Sequence, residues 1–245
     1  MSNILYIVEG KAEYGFIKKM WGFFDDKRIH HVYQYNTNIH TLINHLFENN
    51  DLDSDIDIIK LLKTEEKDSV KKEILEKKYS DIFIIFDLEP HDNKIDPVKI
   101  RKLLDHYSDS TDEGKLLINY PMLESYRDIK SMDDLEFKER SVTLEECSRY
   151  KEIVGNRCMN ILKNYSKCDF NTFINITKMH LMKANFIIDG EYIIPSENKY
   201  FNWNNTELFD IQINSLLTTG TIKVVNTSIL SSVDYRPSLY FNNAK

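Results

Sequence analysis

Two short apolar runs, each closed by acid, constrain this chain more than anything else in it. The first is Ile4-Leu5-Tyr6-Ile7-Val8, followed at once by Glu9-Gly10. The second is Ile82-Phe83-Ile84-Ile85-Phe86, followed by Asp87-Leu88-Glu89. Runs of this length, rich in β-branched and aromatic residues, read as strands buried on both faces, as in a parallel sheet. Open α/β sheets bind ligands outside the carboxyl ends of their strands, and that is where Glu9, Asp87 and Glu89 fall. Three carboxylates gathered there repel one another unless a hard cation offsets them, and oxygen-only donor sets suit Mg²⁺ or Mn²⁺. The pattern implies a metal-dependent enzyme acting on phosphates.

Helical and extended patterns alternate around these runs. Residues 12–24 predict a helix with Ile17, Met20, Trp21 and Phe24 on one face. Residues 31–35 predict a strand and residues 38–47 a helix. A third helix starts at Asp96-Pro97, where Asp caps and Pro suits the first turn, and runs to about His106. Residues 108–114 read as a polar loop, and residues 115–120 as a strand stopped by Pro121. Residues 49–80 are dense in Asp, Glu and Lys and read as a solvated helical insertion with apolar positions at Ile58, Leu62, Val70 and Ile74. The alternation over residues 1–120 predicts an α/β fold with a mainly parallel sheet flanked by helices and right-handed crossovers.

The second half is less regular. Helices are predicted over residues 144–165, 170–184 and 206–217, with a late strand at 222–225. The expected division is an α/β domain over residues 1–130 and a mostly helical C-terminal extension over 131–245, packed on it. The aromatic-rich end, from Tyr200-Phe201-Asn202-Trp203 to Tyr240-Phe241, carries residue types enriched at interfaces. It either closes the domain's own core or is covered in a homodimer or heteromeric complex.

Composition narrows the class. No apolar run reaches the roughly 18 residues needed to span a bilayer, and Met1-Ser2-Asn3 leads straight into a strand without a basic start. A cytoplasmic protein without membrane contact is expected. Cys147, Cys158 and Cys168 show no C-x-x-C pairing, so they read as buried thiols rather than zinc ligands. A net charge of −7 argues against a general nucleic-acid coat. It does not argue against a nuclease, because an acidic site adds negative charge while a local basic groove steers the polyanion. The local basic candidates are Lys71, Lys72, Lys77 and Lys78, and then Lys178, His180 and Lys183.

The order of the acids, a Glu with Gly after the first strand and Asp-x-Glu after a later one, resembles the TOPRIM domain of topoisomerases, bacterial primases, OLD-type nucleases and small ribosomal-RNA maturases. Val8-Glu9-Gly10-Lys11-Ala12-Glu13 is similar to the V-E-G-x-x-E start of its nuclease branch, and Asp87-Leu88-Glu89 stands in its second motif. Residues 108–124, ending in Asn119-Tyr120-Pro121-Met122-Leu123-Glu124, resemble a bacterial branch with relatives that serve as nuclease partners of ATPases in phage defence. The likeness covers about residues 3–125.

This resemblance implies metal-dependent cleavage of phosphodiester bonds in RNA, tRNA included, or in DNA. It implies that Asp87 and Glu89 hold Mg²⁺ or Mn²⁺, with Glu9 as a ligand or general base. Glu13 and Glu124 are candidate ligands for a second ion, and Lys11 a candidate contact to substrate phosphate. A separate ATPase partner follows from the same likeness. Simpler roles stand beside these: Glu13 as a first-turn acid, Glu124 as an ion-pair partner of Arg127 or Lys130, and His91 as an inert loop residue rather than a phosphate donor. Two features depart from the family. The insertion lengthens the spacing between motifs, and the second acid of the pair is Glu, whose extra methylene moves its oxygens by about an ångström. The alternative is a catalytically silent TOPRIM subunit that binds or regulates.

Other nucleotide and phosphate chemistries fit less well. The chain has no G-x-x-x-x-G-K-[ST], so ATP hydrolysis falls to a partner. It lacks the acidic pair of a response-regulator receiver after its first strand, the D-x-D start of a haloacid-dehalogenase-type phosphatase, and G-x-S-x-G.

Overall fold

The computed structural model describes residues 3–24, 28–47, 56–90 and 95–241. His91 and residues 49–55 of the charged insertion lie outside the described residues. The chain divides into two compact units, Met1–Phe86 with Lys94–Leu117, and Asp87–Asn93 with Ile118–Lys245. The second unit thus takes in residues 118–130, because Tyr120 bridges to Val225 and Asn226 bonds to Leu123 and Ser125.

The first unit runs β1 (Asn3–Val8), α1 (Lys11–Trp21), β2 (Ile29–Gln34), α2 (Ile39–Leu46), α3 (Ile58–Glu65), α4 (Ser69–Glu76), β3 (Asp81–Asp87), α5 (Pro97–His106), β4 (Ser108–Asp109) and β5 (Gly114–Asn119). The strands form one mostly parallel sheet in the order β2-β1-β3-β5-β4. β1 pairs in parallel with β2 on one side and β3 on the other, so Val8 lies opposite both Gln34 and Ile85. Ile4 to Val8 are all fully buried, which explains why this strand has no polar alternate position. From β1 the chain steps out to β2 and then returns past β1 to β3. The strand order therefore reverses between β1 and β3.

Local chemistry starts the helices. The Gly10 N–H ahead of α1 donates to Glu13 Oε2 at 2.9 Å, and Phe16, Ile17, Met20 and Trp21 form the helix's buried face. Asp96 accepts from the Lys99 N–H at 3.1 Å, with Pro97 in the first turn of α5. The charged segment does form two helices, but it is more than a solvated insertion. Ile58, Leu62 and Leu75 are buried. Tyr33 donates to Glu66 Oε2 at 2.7 Å, and Lys71 Nζ donates to the Gln34 carbonyl at 3.3 Å. The segment thereby ties itself to the edge strand β2, a common way to blunt a sheet edge.

Residues 108–114, expected as a loop, open with a two-residue strand. Ser108 and Asp109 pair antiparallel with Lys115 and Gly114. Gly114 has φ +130°, and a Cβ there would stand 3.2 Å from Ile82 Cγ2. Both the backbone and the space favour glycine. Gly114→Ala is expected to cost about 1–3 kcal/mol, read as a lower urea midpoint with unchanged slope.

The second unit contains β6 (Ser141–Thr143), α6 (Leu144–Cys147), α7 (Tyr150–Arg157), α8 (Phe170–Asp189), α9 (Glu197–Phe201), α10 (Asn205–Thr219), β7 (Thr221–Lys223), α11 (Ser231–Tyr235) and α12 (Ser238–Phe241). β6 and β7 pair antiparallel. The single helix expected over 144–165 is broken into α6, α7 and short 3₁₀ turns. α7 stops because Cys158 turns extended (ψ 156°), the Met159 N–H goes to the Ile129 carbonyl at 2.9 Å, and Arg157 is drawn onto Asp128.

The aromatic end largely closes this unit's own core. Tyr200 and Tyr240 are buried, and the Tyr200 ring lies 5.2 Å from Trp203 and 5.6 Å from Phe241. Phe201 and Leu239 remain exposed. Among the described residues, no helix is long and apolar enough to cross a membrane.

Candidate active site

The acids sit where the strand ends predict. Glu9 follows β1 directly, and its carbonyl accepts from the Asn36 N–H at 2.8 Å. Asp87 is the last residue of β3 and is 5% exposed. Within the first unit Val8, the residue before Glu9, lies opposite Ile85 in the parallel pair of β1 and β3. Glu89 has φ +45°, a left-handed conformation that costs a non-glycine residue about 1–2 kcal/mol. Its N–H is tied to the Pro121 carbonyl and that of Leu88 to the Asn119 carbonyl, both at 3.1 Å. Among the described residues its side chain makes no hydrogen bond or ion pair.

The remaining candidates separate. Glu13 is buried and caps its own helix through the Gly10 N–H. Lys11 is exposed as the first residue of α1. Glu124 lies in the 3₁₀ turn Leu123–Arg127. Its Oε1 is 3.6 Å from Lys151 Nζ, and its Oε2 is buried without a hydrogen-bond partner. The ion pair expected with Arg127 or Lys130 goes to Lys151 instead, because Lys130 is taken by Glu136 at 2.5 Å and Arg127 donates to the Lys163 carbonyl.

Asp87 and Glu89 stand two positions apart in the second unit, and an oxygen-only pair of this kind suits Mg²⁺, which takes one or two carboxylates and keeps several waters. Among the described residues no three His, Cys, Asp or Glu side chains are grouped to hold a metal ion.

No protein-family model, curated protein or solved structure matches the chain. The geometry of its own residues therefore carries the functional argument.

Two members of the expected basic patch prove to be interior. Lys183 is fully buried, and its Nζ donates to the carbonyls of Phe137, Lys138 and Arg140 at 2.7, 2.5 and 3.0 Å. Burial pushes its pKa down to about 7, with Lys223 adding to the shift. Three carbonyl acceptors need three N–H donors, which only the ammonium form supplies.

His180 is also fully buried. Its Nδ1 accepts from the Asn226 N–H at 3.0 Å, so Nε2 carries the proton and faces the Tyr126 carbonyl at 3.3 Å. Burial lowers its pKa from 6.5 to about 3. Between those values the unfolded chain holds a proton that the folded chain does not. Stability is thus complete above pH 6.5 and falls as pH drops toward 3, by up to about 1.4 kcal/mol per pH unit. Denaturant midpoints taken from pH 7 to 4 are expected to show this slope, and His180→Gln to flatten it.

Sequence reasoning missed the polar residues behind Asp87. Asn119 Nδ2 donates to Asp87 Oδ1 at 3.0 Å. Asn119 lies in the stretch 119–124 that carries part of the family likeness, and it closes the apolar strand Leu116-Leu117-Ile118, but neither signal pointed to a bond with Asp87.

Proposed function

We propose that the chain is a Mg²⁺- or Mn²⁺-dependent phosphodiesterase, a nuclease acting on RNA or DNA. The observation that carries this reading is the reversal of strand order between β1 and β3, with Glu9 and Asp87 at the carboxyl ends of those two strands. Open α/β sheets bind ligands at such switch points. The left-handed backbone at Glu89 adds support, since strain of this kind concentrates at functional sites. Asp87 and Glu89 would hold the cation, with Glu124 a candidate for a second ion. When bound, a divalent ion polarises a phosphate oxygen and stabilises charge on the leaving group. Glu9 would take the proton of the attacking water. Lys11, exposed at the start of α1, would meet substrate phosphate with the positive end of the helix behind it.

The TOPRIM likeness extends the proposal to a role in phage defence beside a separate ATPase, in a homodimer or heteromeric complex. The test is incubation of purified protein with labelled RNA and plasmid DNA, with Mn²⁺ or Mg²⁺ and with a chelator. Chelator-sensitive cleavage of either substrate supports the nuclease. A protein that neither cleaves them nor binds Mn²⁺ is the silent binding subunit instead.

A further inference from the structure

Asn119 ends β5 and has no solvent exposure. Its side-chain amide is held from two sides. Oδ1 accepts from the Ser228 backbone N–H at 3.1 Å, and Nδ2 donates to Asp87 Oδ1 at 3.0 Å. A backbone N–H can only donate, so the oxygen must face Ser228 and the NH₂ must face Asp87. A flipped amide would set two donors together at one end and two acceptors at the other.

Ser228 is fixed in turn. Its Oγ donates to Asn226 Oδ1 at 2.8 Å. Asn226 Nδ2 donates to the Leu123 carbonyl at 3.0 Å and lies 3.2 Å from Ser125 Oγ. Asn226's backbone N–H bonds to His180, and Thr227 Oγ1 donates to the Ile118 carbonyl at 2.8 Å. Asn119, Ser125, His180, Asn226 and Ser228 are all fully buried. A solvent-free chain of single-option hydrogen bonds ends on one oxygen of Asp87.

We infer that Asn119, locked by the Ser228 backbone, is the positioning residue that sets the orientation of the Asp87 carboxylate for a divalent cation. The inference rests on the metal-ligand reading of Asp87 above. An outer-shell donor of this kind fixes the plane of a ligating carboxylate, and its loss typically costs about 10–100-fold in metal affinity.

The test compares Mn²⁺ affinity by calorimetry, and the electron-spin-resonance signal of bound Mn²⁺, in the intact protein and in Asp87→Asn, Asn119→Leu and Asn119→Gln. Melting curves establish that each variant is folded. Asn119→Leu is expected to weaken Mn²⁺ about 10–100-fold and to change the bound-ion spectrum. Asn119→Gln, which keeps an amide donor, is expected to recover part of that loss. If Asn119→Leu does not fold, Asn119→Ser is read in its place, since its hydroxyl leaves the Ser228 N–H an acceptor.

A folded Asn119→Leu or Asn119→Ser with unchanged affinity and spectrum overturns the positioning role. If in that case Asp87→Asn still abolishes binding, the proposed function stands without it. An intact protein that binds no Mn²⁺ overturns both.

Discussion

Asp87→Asn is expected to abolish metal-dependent cleavage while leaving the fold in place. The substitution removes one charge and keeps the shape of the side chain. The new amide oxygen can still accept from Asn119 Nδ2, which lies 3.0 Å from Asp87 Oδ1 in the intact protein. Taking a charge from a like-charged group relieves repulsion, so the melting temperature without metal should hold or rise. The metal-bound state should behave oppositely. Saturating Mn²⁺, at about 100 times its dissociation constant, stabilises a one-site protein by about 2.7 kcal/mol. That gain should vanish in the variant. Cleavage should fall by more than the roughly 100-fold expected for an outer-shell partner. Glu9→Gln should likewise lose cleavage with little change in stability. Full turnover in either variant would remove that residue from the mechanism.

Asp128→Ala is expected to be the most destabilising single change in the second unit. Asp128 has no solvent exposure, yet it takes Arg157 Nε at 2.5 Å, a second and shorter Arg157 bond, and the Tyr150 hydroxyl at 2.8 Å. Arg140, also buried, donates to the Asp128 carbonyl at 2.6 Å and to Asp134 Oδ2 at 2.8 Å. Truncating Asp128 leaves the partly exposed Arg157 without its carboxylate and removes an acid 3.9 Å from the buried Arg140, which keeps Asp134. Breaking a fully buried pair from one side costs about 3–5 kcal/mol, and the exposure of Arg157 puts this loss toward the lower end. Adding Arg157→Ala should return part of that loss, since the two residues share one interaction. Chemical denaturation of the three variants measures the coupling. A loss under about 1 kcal/mol for Asp128→Ala would mean that water reaches the pair and screens it.

The first unit was legible because its strands are buried on both faces. Ile4 to Val8 and Phe83 to Phe86 announce themselves by composition alone, and Asp96-Pro97 marks a helix start within four residues. The acids at the strand ends were legible for the same reason, since each interrupts an apolar run. The second unit was not, because its order comes from bonds between distant residues. Nothing near residue 157 says that the helix must stop there. The reason lies at Ile129, whose carbonyl captures the Met159 N–H, and at Asp128. Lys178, His180 and Lys183 looked like a basic surface because three cationic side chains recur within six positions. On α8 two of them point inward to carbonyl and amide partners that the local sequence does not reveal. Glu124 illustrates the limit at the site. Its spacing suggested Arg127 or Lys130, but its cation is Lys151 on a separate helix.

The bond from the Ser228 backbone to Asn119 joins residues 109 positions apart. A ribosome must therefore add 109 residues beyond Asn119 before its amide meets its second partner, and closing so distant a contact is slow beside local helix formation. A nascent chain carries Glu9, Asp87, Glu89 and Glu124 long before it carries Ser228. Products of stalled translation or of proteolysis ahead of Val225 hold all four acids and lack the brace. If the proposed nuclease reading holds, this order of synthesis delays tight binding of the ion until that late contact closes, and truncated copies are expected to hold the ion about 10–100-fold more weakly.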